Sequence, residues 1–360
     1  MLRKEQLPTP VLLADLEILR RNIAYMAEKA KDREINLRPH IKTHKNKEIA
    51  RMQLAAGAVG LTCATISEAE LMADAGVHDL FIAYPLVGDY QLAKAAALAQ
   101  RCKLTLAFDS YIASKRMDSF AKAAGIKFTV SMIIDTGGSR DGAAPEQALG
   151  LARAAGQLEN LDLRGVMTHE GHLYGCANTQ EVEEQAEISA QKLVAAADEM
   201  RKAGFKIETV STGSTPACYA DFEVPGITEW RPGTYVFNDA QQAALGAALG
   251  DCALTVKATV VSNPAPERYL LDAGSKVLSE AAHPKFGHGM IKGVPKARIV
   301  KVNEEHGFIS APEGVFSIGQ QVEVIPVHVC TVVNLSDSFY VVEGEQVVDR
   351  WTVHARGLVL

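Results

Sequence analysis

The feature that most constrains the fold is an alternation of short apolar runs with alanine-rich helical patterns over the first two-thirds of the chain. The apolar runs predict eight strands, Leu37–Ile41, Val59–Cys63, Leu80–Tyr84, Leu104–Phe108, Phe128–Ile134, Leu163–Met167, Glu208–Ser211 and one near Glu229–Tyr235. The stretches between them have helical spacing. Asp15 can cap the first helix, and Ser67 can cap a helix that ends before Gly76.

This alternation predicts an α/β architecture. About eight β-α units suit a (β/α)8 barrel of the TIM type, although a doubly wound sheet also has this pattern. After about Cys252 the helical periodicity fades and β-branched strand patterns take over. We therefore expect a barrel domain over residues 1–244 and a second, all-β domain over residues 245–360.

Composition excludes several classes of protein. Lys and Arg total 37 against 43 Asp and Glu, a net charge of −6, so we expect no binding to nucleic acid. The chain has neither a run of about 18 apolar residues, as a membrane span requires, nor a signal-peptide pattern. The six cysteines form no CxxC pair, so we expect reduced thiols and a cytoplasmic location.

The predicted strand ends carry most of the side chains that can do chemistry. The segment Arg-Pro-His-Ile-Lys-Thr-His-Lys places Lys42 after the first strand, and barrel active sites lie at the carboxyl ends of strands. A lysine there can attack an aldehyde, but a run of basic residues is also typical of a surface turn. A later glycine-rich turn leads to Arg140, whose guanidinium can bind a phenolate or carboxylate, or it is an ordinary βα turn.

Three further turns follow later strands of the predicted barrel. His169 and His172 lie three residues apart and can be metal ligands, acid–base groups or structural histidines. The other two turns are small and rich in hydroxyls, which suits a phosphate, and barrels frequently bind phosphate in the loops after strands seven and eight. These turns contain Gly213, Ser214 and Thr215, and Gly233 and Thr234.

One candidate metal site lies in the predicted β domain. His328 and Cys330 are two residues apart in an apparent strand, so their side chains would point to one face. Imidazole and thiolate together suit Zn²⁺. An isolated pair of this kind is also compatible with a buried cysteine and a hydrogen-bonded histidine.

Taken together, the motifs resemble the D-threonine aldolase/D-serine dehydratase family. The resemblance runs from Thr-Pro-Val-Leu-Leu-Ala-Asp-Leu near the start, through Arg-Pro-His-Ile-Lys-Thr-His-Lys, to His-Val-Cys-Thr-Val-Val-Asn-Leu-Ser-Asp and Val-Val-Asp-Arg-Trp-Thr-Val-His-Ala-Arg-Gly near the end. It implies a barrel like that of alanine racemase, binding pyridoxal 5′-phosphate (PLP), and a β domain like that of D-serine dehydratase. It also implies a homodimer and a small D-amino acid as substrate.

The resemblance also implies roles for individual residues. Lys42 matches the lysine that forms the Schiff base with PLP, and Arg140 matches the arginine on the phenolic oxygen. Tyr174 lies where a family tyrosine approaches the pyridine ring. Phosphate-binding turns are matched by Gly213, Ser214, Thr215, Gly233 and Thr234, and the metal pair is matched by His328 and Cys330.

Two reactions suit this constellation. A dehydratase would convert a 3-hydroxy-D-amino acid, such as D-serine or D-threo-3-hydroxyaspartate, to a 2-oxo acid and ammonia, with Lys42 as the base. An aldolase would release glycine and an aldehyde, with His172 as a candidate base. Within the family the metal pair is His-x-Cys in dehydratases and His-x-Asp in aldolases, so Cys330 favours dehydration and Zn²⁺ over Mn²⁺ or another divalent cation. An amino-acid racemase and a non-catalytic PLP-binding protein are the alternatives from other classes.

Overall fold

The computed structural model describes residues 2–360 of the chain. Its strands are β1 (Val11–Asp15), β2 (Asn36–Leu37), β3 (Leu61–Cys63), β4 (Asp79–Pro85), β5 (Lys103–Phe108), β6 (Phe128–Ile133), β7 (Leu161–Met167), β8 (Thr209–Thr212), β9 (Glu229–Trp230), β10 (Leu254–Ala265), β11 (Arg268–Leu271), β12 (Gly289–Ile291), β13 (Arg298–Val302), β14 (Gly307–Ser310), β15 (Gln321–Pro326), β16 (Ser338–Glu343) and β17 (Gln346–Thr352).

The helices lie mainly between the strands of the first two-thirds of the chain. They are α1 (Leu16–Asp32), α2 (Lys47–Ala55), α3 (Ile66–Asp74), α4 (Asp89–Leu98), α5 (Tyr111–Ala124), α6 (Pro145–Ala155), α7 (Thr179–Lys202), α8 (Thr215–Tyr219), α9 (Ala240–Ala244), α10 (Ser275–Leu278) and α11 (Val329–Asn334). None of the helices within residues 2–360 is long and apolar enough to cross a membrane.

The chain divides into two compact units. The barrel unit contains residues 26–42, 50–233 and 358–360. The β unit contains the described residues up to 25, together with residues 43–49 and 234–357. The N-terminal residues, which the sequence analysis assigned to the barrel, therefore belong to the β unit.

The barrel unit is built on eight parallel strands in the order β2-β9-β8-β7-β6-β5-β4-β3. A parallel bridge between His40 and Thr62 joins the two ends of this sheet. The predicted (β/α)8 barrel is thus confirmed. The first and last strands are shorter than predicted, because β2 ends at Leu37 and β9 at Trp230.

The barrel strands bury both of their faces. Leu80 and Ile82 of β4 pack in a large cluster with residues of the surrounding helices, such as Met72 and Met117. Phe81 lies between them in the sequence and packs instead with Ala107, Ile133 and Met167 in a separate cluster. Successive side chains of a strand point to opposite faces, so the second cluster fills the interior of the barrel and forms a floor beneath its mouth.

Local capping places the helices much as the sequence indicates. Asp15 Oδ1 accepts a hydrogen bond from the Ile18 N–H at 3.0 Å, which confirms the predicted cap of α1. The predicted Ser67 cap is wrong: α3 begins earlier, and Thr65 Oγ1 accepts the Glu68 N–H at 3.1 Å. Thr65 has the extended backbone that an N-cap requires.

The β unit is a nine-stranded sheet in the order β11-β14-β13-β12-β15-β10-β1-β16-β17. The predicted C-terminal all-β architecture is confirmed, with the N-terminal strand β1 added to it. β1 pairs antiparallel with β10 and parallel with β16. None of the cysteines within residues 2–360 forms a disulfide.

Candidate active site

A cavity of about 480 Å³ opens in the barrel unit. Cations outnumber anions among its charged lining residues, which are Lys42, Arg140 and Arg231 against Asp141. The remaining lining residues are His40, Ala64, Ala83, Tyr84, Pro85, Val87, Met167, His169 and Gly213. A pocket of this size, with a few charged groups on an apolar wall, suits a small anionic ligand.

Lys42 reaches this cavity from a short 3₁₀ turn, Ile41–Thr43, that follows β2. Pro39 has no N–H to continue the ladder, but its carbonyl accepts the Thr62 N–H at 2.8 Å. The His40 N–H donates to the Pro232 carbonyl at 2.9 Å. These bonds fix the backbone directly before the turn and so hold Lys42 beyond the end of the first barrel strand, where the sequence predicts it.

Arg140 lies in a turn organised by Asp135. One oxygen of this carboxylate, Oδ1, accepts the Gly137 N–H at 2.9 Å and the Ser139 N–H at 3.1 Å. Partial burial raises the pKa of Asp135, but the N–H groups of Gly137, Ser139 and Gly138 outweigh it and hold this pKa below its usual value. Arg140 itself forms a forked pair with Asp141, at 3.0 and 3.3 Å.

Two side chains from the end of β7 fix the backbone of Gly213. His169 Nδ1 lies 2.7 Å from the Gly213 carbonyl, and a carbonyl only accepts, so Nδ1 carries the proton. Glu170 Oε2 accepts the Gly213 N–H at 3.2 Å. Burial, aided by Lys42, lowers the pKa of His169 to about 3, so its imidazole is neutral at neutral pH with an unprotonated Nε2. Burial also raises the pKa of Glu170.

The other residues of the first predicted phosphate turn follow directly. Ser214 caps α8, its Oγ accepting the Ala217 N–H at 3.3 Å, and Ser214 and Thr215 are both buried. Gly213 leaves no room for a side chain, since an added Cβ would lie 2.7 Å from the Cβ of Arg231. The backbone of this turn can therefore approach Arg231 this closely only because residue 213 is glycine.

Arg231 is the functional candidate that the sequence reasoning missed. It is only 3% exposed, and it donates to the Thr168 carbonyl at 2.6 Å and to the Ser211 hydroxyl. Burial lowers its pKa, against the opposing effect of Glu229 and Glu170. Its position in the sequence could have indicated a role, because Arg231 directly follows β9 and precedes the glycine and threonine of the second predicted phosphate turn.

His172 and Tyr174 are not among the residues that line the cavity. His172 Nε2 lies 3.3 Å from the Ser189 hydroxyl, which belongs to α7. The ring of Tyr174 lies 6.5 Å from that of His169, centroid to centroid. The neighbouring His169, rather than His172, faces the cavity with Lys42 and Gly213.

His328 and Cys330 lie in the β unit, but the strand predicted for them is wrong. β15 ends at Pro326, and His328 is the N-cap of α11. His328 Nδ1 lies 3.8 Å from Asp239 Oδ2. The Cys330 Sγ lies 3.1 Å from the hydroxyl of Thr43, the residue after Lys42, and 3.8 Å from that of Thr234. Within residues 2–360, no group of three or more His, Cys, Asp or Glu side chains is arranged to hold a metal.

Comparison with known proteins identifies the family. The model of the alanine racemase N-terminal domain matches residues 14–241, and that of a putative serine dehydratase domain matches residues 253–342. The chain belongs to the D-threonine aldolase/D-serine dehydratase family. It is a PLP-dependent lyase of the alanine-racemase-like fold.

The similarity to characterised members covers nearly the whole chain. A D-threo-3-hydroxyaspartate dehydratase of Delftia sp. (strain HT23) is 32% identical over 96% of this chain and 97% of its own length. A D-threonine aldolase of Arthrobacter sp. is 31% identical over 97% of this chain and 93% of its own. The crystal structure of a D-threonine aldolase from Filomicrobium marinum superposes with a TM-score of 0.90 at 31% identity, over 98% of this chain and 97% of that one.

Proposed function

We propose that this lyase acts on 3-hydroxy-D-amino acids and that its preferred reaction is dehydration to a 2-oxo acid and ammonia. The observation that carries the preference is Cys330, two residues after His328 in the order His-x-Cys. A relative named as a D-threo-3-hydroxyaspartate dehydratase matches 96% of this chain. D-Serine and D-threo-3-hydroxyaspartate are the substrate types that we expect.

The cavity of the barrel unit fits PLP. PLP is an aldehyde carrying a phosphate and a phenolic oxygen, and the cavity offers an amine at Lys42 and cations at Arg140 and Arg231. Lys42 would bind the aldehyde and Arg140 the phenolic oxygen. Tyr174 does not line the cavity, so it would have to move to lie near the pyridine ring. The phosphate would be held by the backbone and hydroxyl groups of Gly213, Ser214, Thr215, Gly233 and Thr234.

PLP supplies an electron sink for the bond that breaks at the substrate Cα. We assign Lys42 Nζ to move the proton at that carbon. His169 is neutral and holds its Nδ1 proton on the Gly213 carbonyl, so it orients the phosphate turn rather than supplying a proton. Phe81 and Met167 are buried beneath the cavity and close its floor to water.

We propose a divalent metal, Zn²⁺ in preference to Mn²⁺, held by His328 and Cys330. Their donor atoms, an imidazole nitrogen and a thiol sulfur, suit this ion. Two protein ligands leave coordination positions for water and for substrate oxygen. A bound metal supplies Lewis acidity toward the 3-hydroxyl group.

The alternative is retro-aldol cleavage to glycine and an aldehyde. The similarity to D-threonine aldolases favours it, since one is nearly as similar in sequence as the dehydratase. His172 is then the candidate base for the 3-hydroxyl proton. Because His172 contacts Ser189 rather than lining the cavity, this role requires a rearrangement on substrate binding.

We further propose a cytoplasmic homodimer with no nucleic-acid or membrane partner. The six cysteines all lie within residues 2–360 and form no disulfide there, which suits a reducing compartment. The net charge of −6 disfavours contact with nucleic acid. Sedimentation of the purified protein measures the oligomeric state directly.

A product assay tests the preferred reaction. The PLP-loaded protein is offered D-serine, D-threonine and D-threo-3-hydroxyaspartate with Zn²⁺ or Mn²⁺, and ammonia, 2-oxo acid and glycine are quantified. We expect ammonia and 2-oxo acid in equal amounts with Zn²⁺, and the Cys330→Asp variant to produce a larger share of glycine. Glycine as the sole product of the wild type would overturn the preference for dehydration.

A further inference from the structure

A chain of hydrogen bonds leads away from Arg231 into the interior of the barrel unit. Arg231 Nη1 donates to the hydroxyl of Ser211. That hydroxyl lies 2.7 Å from Glu229 Oε1. The other oxygen of the carboxylate, Oε2, accepts from Arg38 Nε at 2.7 Å.

The direction of each bond in this chain is fixed by the chemistry of its members. A guanidinium only donates, so the Ser211 oxygen must accept from Arg231. The single hydroxyl proton of Ser211 is then used toward Glu229. The hydroxyl thus connects the carboxylate of Glu229 to the guanidinium of Arg231 in one defined orientation.

Burial makes this arrangement costly to disturb. Ser211 is 0% exposed, Arg231 3%, Glu229 4% and Arg38 8%. Hydrogen bonds among charged groups are stronger in such an interior, and a polar group that loses its partner there is heavily penalised. Arg231 is therefore confined to the orientation that the network allows.

Arg231 makes two further contacts inside the barrel unit. Nη2 donates to the Thr168 carbonyl at 2.6 Å, and the group lies over the ring of Phe81, 5.7 Å from its centroid. Arg231 nevertheless lines the cavity that contains Lys42. The hydroxyl of Ser211 and the carbonyl of Thr168 hold the guanidinium from behind.

We propose that Ser211 and Glu229 are positioning residues that hold Arg231 toward the bound cofactor, so that they affect cofactor binding only through Arg231. This inference rests on the proposed binding of PLP in the same cavity. The alternative is that the Arg38–Glu229 ion pair has a purely structural role. Changes at Ser211 or Glu229 would then destabilise the barrel without acting through Arg231.

A double-mutant cycle on the dissociation constant for PLP separates the two roles. PLP is titrated by its visible absorbance into the wild type, Ser211→Ala, Arg231→Gln and the double variant. Ser211→Ala keeps the Arg38–Glu229 ion pair and removes only the connecting hydroxyl. In the wild-type background we expect Ser211→Ala to weaken PLP binding about tenfold, or 1.4 kcal/mol. In the Arg231→Gln background the same change should weaken binding by less than about twofold, which is within the usual scatter for mutations at independent sites.

Two further variants control for the loss of charge. Glu229→Gln should show the same dependence on Arg231 as Ser211→Ala. Asp79→Asn removes the other carboxylate that contacts the Arg38 guanidinium. Asp79 Oδ1 accepts from Arg38 Nη1 at 2.6 Å, and its Oδ2 pairs with Lys103 at 2.8 Å. We expect Asp79→Asn to leave the affinity for PLP within about twofold of the wild type.

The outcomes separate this inference from the proposed function. Suppose that the wild type binds PLP, and that Ser211→Ala weakens PLP binding equally in the wild-type and Arg231→Gln backgrounds or does not weaken it at all. The positioning role is then overturned while the proposed function stands. If Glu229→Gln fails to fold, Ser211→Ala alone decides. A wild type that binds no PLP overturns both.

Discussion

Gly213 is the point at which the candidate phosphate turn meets the cavity wall. Its carbonyl accepts from His169, its N–H donates to Glu170, and its Cα faces the backbone of Arg231. The segments that follow two other strands, β7 and β9, thus converge on one residue. Its position is set by close approach rather than by an unusual backbone angle.

We predict that Gly213→Ala weakens PLP binding and lowers the free energy of unfolding by about 1–3 kcal/mol, the usual cost of overpacking. The added Cβ would lie 2.7 Å from the Cβ of Arg231 and 2.9 Å from its backbone nitrogen, so the turn must move. Urea denaturation and a PLP titration measure the two effects.

Gly150→Ala is the matched control for this substitution. Gly150 lies within α6, and an added Cβ there meets nothing within 4 Å. In a helix interior the change should stabilise by about 0.5–1 kcal/mol and leave PLP binding unchanged. If Gly213→Ala and Gly150→Ala had the same effect on stability and on PLP binding, the steric role assigned to Gly213 would be contradicted.

The sequence was sufficient to place some of the charged residues that line the cavity and not others. Lys42 and Arg140 were predictable because each follows a strand in a recognisable motif, and the structure brings both to one cavity. Arg231 was not, because nothing local shows that an arginine after a short strand will be buried with Ser211 and Thr168, which come from other strands. Burial of that kind depends on contacts distant in the sequence.

Among the elements, α9 and α11 share a single capping group. Asp239 Oδ1 accepts the Gln242 N–H at 2.8 Å, and Oδ2 accepts the Val329 N–H at 3.0 Å. Burial raises the pKa of this carboxyl to about 6, although His328 and the N–H groups oppose the shift. The carboxyl therefore fixes the start of the helix that contains Cys330.

We predict that Asp239→Ala weakens Zn²⁺ binding about 10- to 100-fold, as loss of a supporting carboxylate near a ligating histidine usually does. The start of α11 would lose its cap, so His328 and Cys330 would no longer be held in place. Competition with a chromophoric chelator measures the affinity.

Ser110→Ala is the control for loss of a helix cap. Ser110 Oγ accepts the Ala113 N–H at the start of α5, in the barrel unit. This variant should lose about 1 kcal/mol of stability and bind Zn²⁺ as the wild type does. Unchanged Zn²⁺ affinity in Asp239→Ala would show that Asp239 does not support the metal pair.

The failure to predict α11 has a physical reason. Val329, Thr331, Val332 and Val333 are β-branched and favour a strand when judged locally. The chain nevertheless turns into a helix, where the Asp239 carboxylate accepts its first N–H. Tertiary capping outweighs the modest intrinsic preference of these residues.

At the scale of the whole molecule, the N-terminal strand is an interior member of the C-terminal sheet. β1 lies between β10 and β16, and its Leu13 is only 2% exposed. Alternation of apolar residues along the chain cannot show this, because the pairing joins residues more than two hundred positions apart. The sequence therefore predicts an all-β domain but not the N-terminal strand that completes its sheet.

We predict that residues 245–360 expressed alone do not fold cooperatively. Without β1, the facing edges of β10 and β16 are unpaired and the apolar surface around Leu13 is uncovered. Near-ultraviolet circular dichroism and urea titration test this. A sharp unfolding transition of the fragment, equal to that of the β unit in the full chain, would contradict it.

The proposed function depends above all on covalent binding of PLP to Lys42 in the cavity of the barrel unit. The direct measurement is reduction of the PLP-loaded protein with sodium borohydride, followed by proteolysis and mass spectrometry. We predict a pyridoxyl group on the peptide that contains Lys42, and no pyridoxyl group on the corresponding peptide of the Lys42→Ala variant. A pyridoxyl group on a different lysine of the wild type, or no modified peptide from fully loaded protein, would contradict it.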